Sequence, residues 1–141
     1  MITRVGYIGL GTIGGPIAEN VLKGGFDLIV YDLDEAAMQP FAALDARIAR
    51  SSREVGEYAE LVELSVTDGA AVEAAVLGKN GVLEGAKPGT IIAVHSTVHP
   101  RTVKKIAEAA NPRGVGVLDA APSGGAAGRS EERRVGKECR L

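Results

Sequence analysis

The residues best placed to do chemistry come at the start of the chain, in Gly9-Leu10-Gly11-Thr12-Ile13-Gly14. Three glycines at this spacing act through the backbone they free. Gly9 permits a tight turn, Gly11 lets the main chain approach a bulky anion, and Gly14 lets a helix pack closely on the strand before it. The N–H groups around Thr12 and Ile13 then face outward at the positive end of that helix, which suits a phosphate. The same spacing also occurs in plain strand–turn–helix corners. Here it follows the aliphatic run Val5 to Leu10 and opens an amphipathic stretch, the context that gives it meaning. Asp32 is its natural partner. It closes the second aliphatic run, 21 residues after Gly11 and 18 after Gly14, where a carboxylate meets an adenosine ribose and repels a 2′-phosphate. Asp34 adds negative charge and is the better candidate for a helix cap, while Leu33 and Glu35 supply no cation. NAD is therefore favoured over NADP. NADP stays possible if a loop brings Arg47, Arg50 or Arg53 close.

These residues need a scaffold, and short aliphatic runs alternating with helix-patterned stretches describe one. After the first strand, Ile13, Ile17, Ala18, Val21 and Leu22 share one helical face. Pro16 lies in the first turn, where its missing N–H costs nothing, and Gly24-Gly25 is the stop. Further strands are expected at Leu28–Tyr31, Arg47–Ala49, Leu61–Val66, Thr90–Val94 and Val115–Leu118. Helices are expected from Asp34 to about Leu44, after Ser51 or Ser52, over Ala70–Leu77 behind the cap Asp68, and from Pro100 to Asn111-Pro112. A Gly-rich connection leads to Gly89. The fold class is α/β: a doubly wound parallel sheet of six strands with helices on both faces, ordered 3-2-1-4-5-6.

Composition agrees. The 141 residues are 45% hydrophobic but 4% aromatic, without Trp, so the core must be aliphatic. The net charge of −2 offers no basic excess for nucleic acid. No apolar run approaches the ~20 residues needed to cross a bilayer. The lone cysteine, Cys139, has no intrachain partner, which suits a reducing cytoplasm. No metal site is assigned. His95 follows a strand, where a proton-transfer group or a plain strand-end residue could stand; the plain reading is preferred, and His99 beside Pro100 belongs to the helix entry. Lys104 and Lys105 are read as solvated charges, and Tyr7 and Tyr31 as strand residues with wet hydroxyls.

From Gly9 through Leu22 the sequence resembles the opening signature of the β-hydroxyacid dehydrogenases, the family of 3-hydroxyisobutyrate, tartronate-semialdehyde and 6-phosphogluconate dehydrogenases. The similarity continues through Gly78–Leu83, Lys87–Thr90, His95–Pro100 and Asp119–Gly125, covering residues 1–128. It implies that Gly9, Gly11, Thr12, Ile13, Gly14 and Asp32 hold the cofactor and that Thr97 lies beside the nicotinamide. It further implies that Ser123, Gly124 and Gly125 hold the carboxylate of a small hydroxy acid or semialdehyde. Two departures stand out: Ala121-Pro122 replaces the family's usual Pro-Val, and Val94-His95 occupies the place of Asp and an apolar residue. The family's acid/base is a lysine on a helix of a second, all-helical domain that usually forms the homo-oligomer, and no residue in this sequence matches it. The expectation is thus an NAD(P)-binding domain over 1–128, without catalytic residues of its own. Alternatives are an aldehyde or imine reductase of the same superfamily, or a non-catalytic NAD-sensing module. Residues 129–141 turn abruptly charged and aperiodic. Arg129 to Arg140 resembles the translation of a sequencing-library adapter, so a non-native or disordered tail is expected there.

Overall fold

The computed structural model describes residues 1–121. Six strands, β1 (Arg4–Ile8), β2 (Asp27–Tyr31), β3 (Arg47–Ile48), β4 (Leu61–Leu64), β5 (Ile91–Val94) and β6 (Gly116–Asp119), form one sheet. Every neighbouring pair is parallel and the order is β3-β2-β1-β4-β5-β6, as the alternating pattern predicts. The reversal of winding falls between β1 and β4, beside the glycine loop, where such sheets open a crevice.

Helices α1 (Gly14–Lys23) and α2 (Glu35–Ala42) cover one face. Val5, Tyr7, Leu28, Val30, Met38 and Phe41 are buried between them and the strands. Helices α3 (Ser52–Tyr58), α4 (Gly69–Leu77), α5 (Val82–Gly85) and α6 (Pro100–Ala110) belong to the opposite side. There Val62, Leu64, Ile92, Val94 and Val117 meet Val55, Val72, Val76 and Ile106 in the larger core. Because strand side chains alternate, Leu61, Glu63, Ile91, His95 and Leu118 face the α1 side, and all five stay partly exposed. No helix among the described residues is long and apolar enough to cross a membrane.

The caps are those the sequence suggests. Asp34 accepts from Ala36 N–H, Ser51 from Glu54 N–H, and Asp68 from Ala71 N–H. His99 caps α6 through Nδ1, which accepts from Arg101 N–H at 3.0 Å. The connection expected between Leu77 and Gly89 contains the short helix α5. Buried Val82 and Leu83 anchor it, and Gly56 and Gly85 let α3 and α5 touch backbone to backbone. Four residues are too few to show a helical period.

Candidate functional site

The first crossover is built from close approaches. Gly9 has φ +95°, a conformation L side chains rarely adopt, and a Cβ there would also overlap the Ser65 carbonyl. A Cβ on Gly14 would overlap the carbonyl oxygen of Gly9. Gly11 is different: a Cβ there would have nothing within 4 Å. Structure therefore demands Gly9 and Gly14, while at Gly11 only an incoming ligand could demand the space. Among the described residues, the N–H groups of Gly11, Thr12 and Ile13 have no acceptor. Ile13 precedes α1 without a side-chain cap and is 66% exposed. An apolar, uncapped position at this helix end leaves its partial positive charge to solvent or to an anion.

Asp32 stands across from this loop. Its Oδ2 accepts the Leu10 N–H at 2.7 Å and its Oδ1 accepts the Asp34 N–H at 2.8 Å. Gly9 N–H donates to the Tyr31 carbonyl at 3.0 Å, continuing the β1–β2 ladder into the loop. The carboxylate is thus held by two backbone donors, and each oxygen keeps a lone pair for a hydroxyl.

A cleft of about 590 Å³ joins these parts: Gly9, Gly11 and Asp32 line it with Ser65, Arg50 and Lys79. Its far wall is α4, through Ala71, Ala74 and Ala75. That wall was not assigned from sequence, although a signal exists. Helix α4 (Gly-Ala-Ala-Val-Glu-Ala-Ala-Val-Leu) is apolar on nearly all sides, so it needs a second partner beyond the core that Val72 and Val76 face. Lys79 and Asn80 also line the cleft without a role assigned from sequence, and Arg50, named there only as a conditional, joins them, because all three sit on turns that only the fold brings together.

Thr97 is exposed on the turn after β5 and is not among the residues lining the cleft. Its neighbour Ser96 does the structural work there: its hydroxyl accepts the Val66 N–H at 2.9 Å and donates to the Val66 carbonyl at 2.7 Å. Ser123, Gly124 and Gly125 lie outside the described residues.

One expectation about polar residues is corrected. Tyr7 has no wet hydroxyl. It is fully buried, with its oxygen 2.7 Å from Ser65 Oγ, and burial pushes its pKa up to about 12. His95 stands at the end of β5, its N–H donating to the Leu64 carbonyl at 2.8 Å, and its side chain is engaged as well: Nε2 lies 2.8 Å from Glu63 Oε1 and the ring stacks on Tyr7 at 6.2 Å between centroids. The parallel register sets Tyr7 opposite Glu63, and Glu63 opposite Ala93. His95, two residues beyond Ala93, points to the same face.

A doubly wound sheet whose first crossover carries open amides, faced by an acidic residue at the end of the next strand, defines a dinucleotide-binding domain. Residues 4–133 match the family described as the NAD binding domain of 6-phosphogluconate dehydrogenase, and the chain belongs to that family. An uncharacterized oxidoreductase of Mycobacterium tuberculosis is 42% identical over 124 residues, 88% of this chain and 42% of that protein. An NAD-dependent L-serine dehydrogenase of Pseudomonas aeruginosa is 39% identical over 89% of this chain and 42% of its own length. A crystal structure of a 3-hydroxyisobutyrate dehydrogenase from Salmonella typhimurium superposes with a TM-score of 0.79 at 31% identity, covering 88% of this chain and 43% of that one. The domain is thus of the kind found in 3-hydroxyisobutyrate dehydrogenase-like oxidoreductases. The chain spans about two fifths of the length of the curated relatives it matches.

Proposed function

We propose that the cleft holds a nicotinamide dinucleotide with its pyrophosphate against the N–H groups of Gly11, Thr12 and Ile13. Asp32 takes the hydroxyls of the adenosine ribose, and the alanine wall of α4 leaves room for a flat base. The observation that carries this reading is the open position at Gly11, flanked by amides without acceptors among the described residues and faced by a carboxylate already held in place. Asp32 favours NAD over NADP, since a 2′-phosphate would meet its negative charge.

For the longer proteins of this type, the reading is hydride transfer between NAD(P) and a small 3-hydroxy acid. The dinucleotide supplies the redox chemistry and the protein orients it. Thr97 would then stand beside the nicotinamide, and Ser123, Gly124 and Gly125 would receive the acid's carboxylate through hydroxyl and backbone donors. A cytoplasmic setting and a homo-oligomeric enzyme complete the proposal. The 141-residue chain is expected to bind the dinucleotide without turning over hydroxy acids, because no residue of its sequence matches the family's lysine. Calorimetric titration of folded chain with NAD and NADP tests the site: a saturable heat with NAD supports it, and no affinity for either overturns it.

A further inference from the structure

Three arginines cluster after β3, and the fold gives them different fates. Arg47 lies over the Tyr58 ring, 4.6 Å from its centroid. Arg53 pairs with Glu57 at 3.4 Å and Glu84 at 3.8 Å. Arg50 has no ion-pair partner among the described residues, yet it lines the main cleft together with Asp32 and Leu33. It also lines the adjoining hollow between β2, α2 and the end of β3. Among the described residues, the charged ones around that hollow are Asp32, Glu35 and Arg50, so Arg50 is the one cation they supply. Its backbone is fixed: Ala49 N–H donates to the Val30 carbonyl at 2.9 Å, and Arg50 N–H donates to Glu54 Oε1 at 3.3 Å while Ser51 caps Glu54. These bonds at the start of α3 set where the long side chain begins. Leu33, between the loop and the hollow, is 91% exposed and raises no wall against a group projecting from the ribose.

We propose that Arg50 is a cofactor-specificity residue, placed to receive the 2′-phosphate of NADP beside Asp32, so that the domain binds both dinucleotides with only a modest preference for NAD. The inference rests on the dinucleotide reading above and deepens it. Asp32 alone would make the ribose end a strict NAD site. A guanidinium at the same rim offers a phosphate several N–H donors and an opposite charge. The two side chains therefore pull the 2′-position in opposite directions, and removing the cation should widen the gap between the cofactors.

The test measures the affinity of the 141-residue chain for NAD and NADP, in wild type, Arg50→Gln and Arg50→Glu, with the exposed Arg113→Gln as a charge control. In wild type, NADP is expected to bind within about tenfold of NAD. Arg50→Gln should weaken NADP by about tenfold, equivalent to about 1.4 kcal/mol, and NAD by less than about threefold. Arg50→Glu should widen the gap further, and Arg113→Gln should leave it unchanged. An unchanged NADP-to-NAD ratio in Arg50→Gln, or equal weakening of both cofactors, overturns the proposal. Wild type that binds NAD but no NADP overturns it while sparing the dinucleotide reading; wild type that binds neither overturns both. A readout free of variants is competition by small probes. Adenosine 2′,5′-bisphosphate should bind wild type at least as tightly as AMP, with the steeper loss in salt; weaker binding than AMP counts against the role of Arg50.

Discussion

The two ends of the same sheet are finished in opposite ways. At the amino ends of the strands, most loop donors and acceptors next to the sheet are paired internally. Glu60 Oε1 accepts the N–H groups of Thr3 and Arg4 at 2.9 and 3.0 Å, Arg4 Nε donates to the Tyr58 carbonyl, and Gly89 N–H donates to the Gly114 carbonyl. At the carboxyl ends, β1 stops at Ile8 and the next amides with no acceptor among the described residues are those of Gly11, Thr12 and Ile13. Backbone groups rarely go unpaired unless water or a ligand takes them. One edge is therefore sealed for stability, and the other is left open at the cost of exposing Ile13 and Leu33.

The contrast is tested most severely within the glycine loop itself. Gly14→Ala would drive a methyl into the Gly9 carbonyl and push α1 off β1. A loss of about 3 kcal/mol in a urea melt is expected, the upper end of overpacking costs, with nucleotide affinity lost alongside. Gly11→Ala meets no neighbour, so its stability should stay within about 0.5 kcal/mol of wild type. Its NAD affinity should still fall about tenfold or more, because the methyl takes the space at the amides. Equal effects on folding from both variants would show that Gly11 is another packing glycine and that this edge is not open for a ligand.

Asp32→Asn asks a subtler question, since this side chain belongs to both categories. Its carboxylate ties the loop to β2 and faces the cleft. An amide keeps one acceptor oxygen and loses the other, so about 1 kcal/mol of stability and about tenfold in NAD affinity are expected to go. If only stability changes, Asp32 is a strut and the ribose reading fails.

What the sequence made legible follows from how local each feature is. The glycine loop, the caps Asp34, Ser51 and Asp68, and the strand order all arise from residues close in the chain or from a topology with few alternatives. The α4 wall was not legible, because the face of that helix turned to the cleft is decided by how Val72 and Val76 seat in the core. Arg50 was legible only as a conditional, as one of three arginines, until the other two found partners. The Glu63–His95 contact depends on parallel register between strands whose residues lie 32 positions apart, which no short-range pattern encodes. Tyr7 was misread for the same reason: its buried partner, Ser65, is 58 residues away.

Tyr7 sits below the open edge and belongs to the sealed interior. Tyr7→Phe removes its contact with Ser65 and is expected to cost about 1 kcal/mol at neutral pH. Burial, aided by the negative charge of Glu63 and opposed by the Ser65 hydrogen bond, raises the phenol from its ordinary 10.0 to about 12. The unfolded chain therefore ionises this group first. Its contribution is complete below pH 10 and is lost as pH rises toward 12. The wild-type advantage over Tyr7→Phe in urea melts should shrink across that window. A constant difference would mean that the phenol ionises equally in both states.

The smallest effect is expected at the sealed edge. The N–H groups of Thr3 and Arg4 hold the Glu60 carboxyl below its ordinary value, against a lesser opposing effect of desolvation. A lowered folded pKa means that the contribution is present above the unfolded carboxylate range and disappears as pH falls through the folded value. Glu60→Gln should therefore lower the urea midpoint slightly at neutral pH, and the two midpoints should converge on acidification. Nucleotide affinity should not change at any pH, because Glu60 lies at the opposite end of β1 from the loop. A Glu60→Gln variant that kept its stability but lost NAD binding would join the two edges energetically, and the division between a sealed end and an open one would no longer describe this sheet.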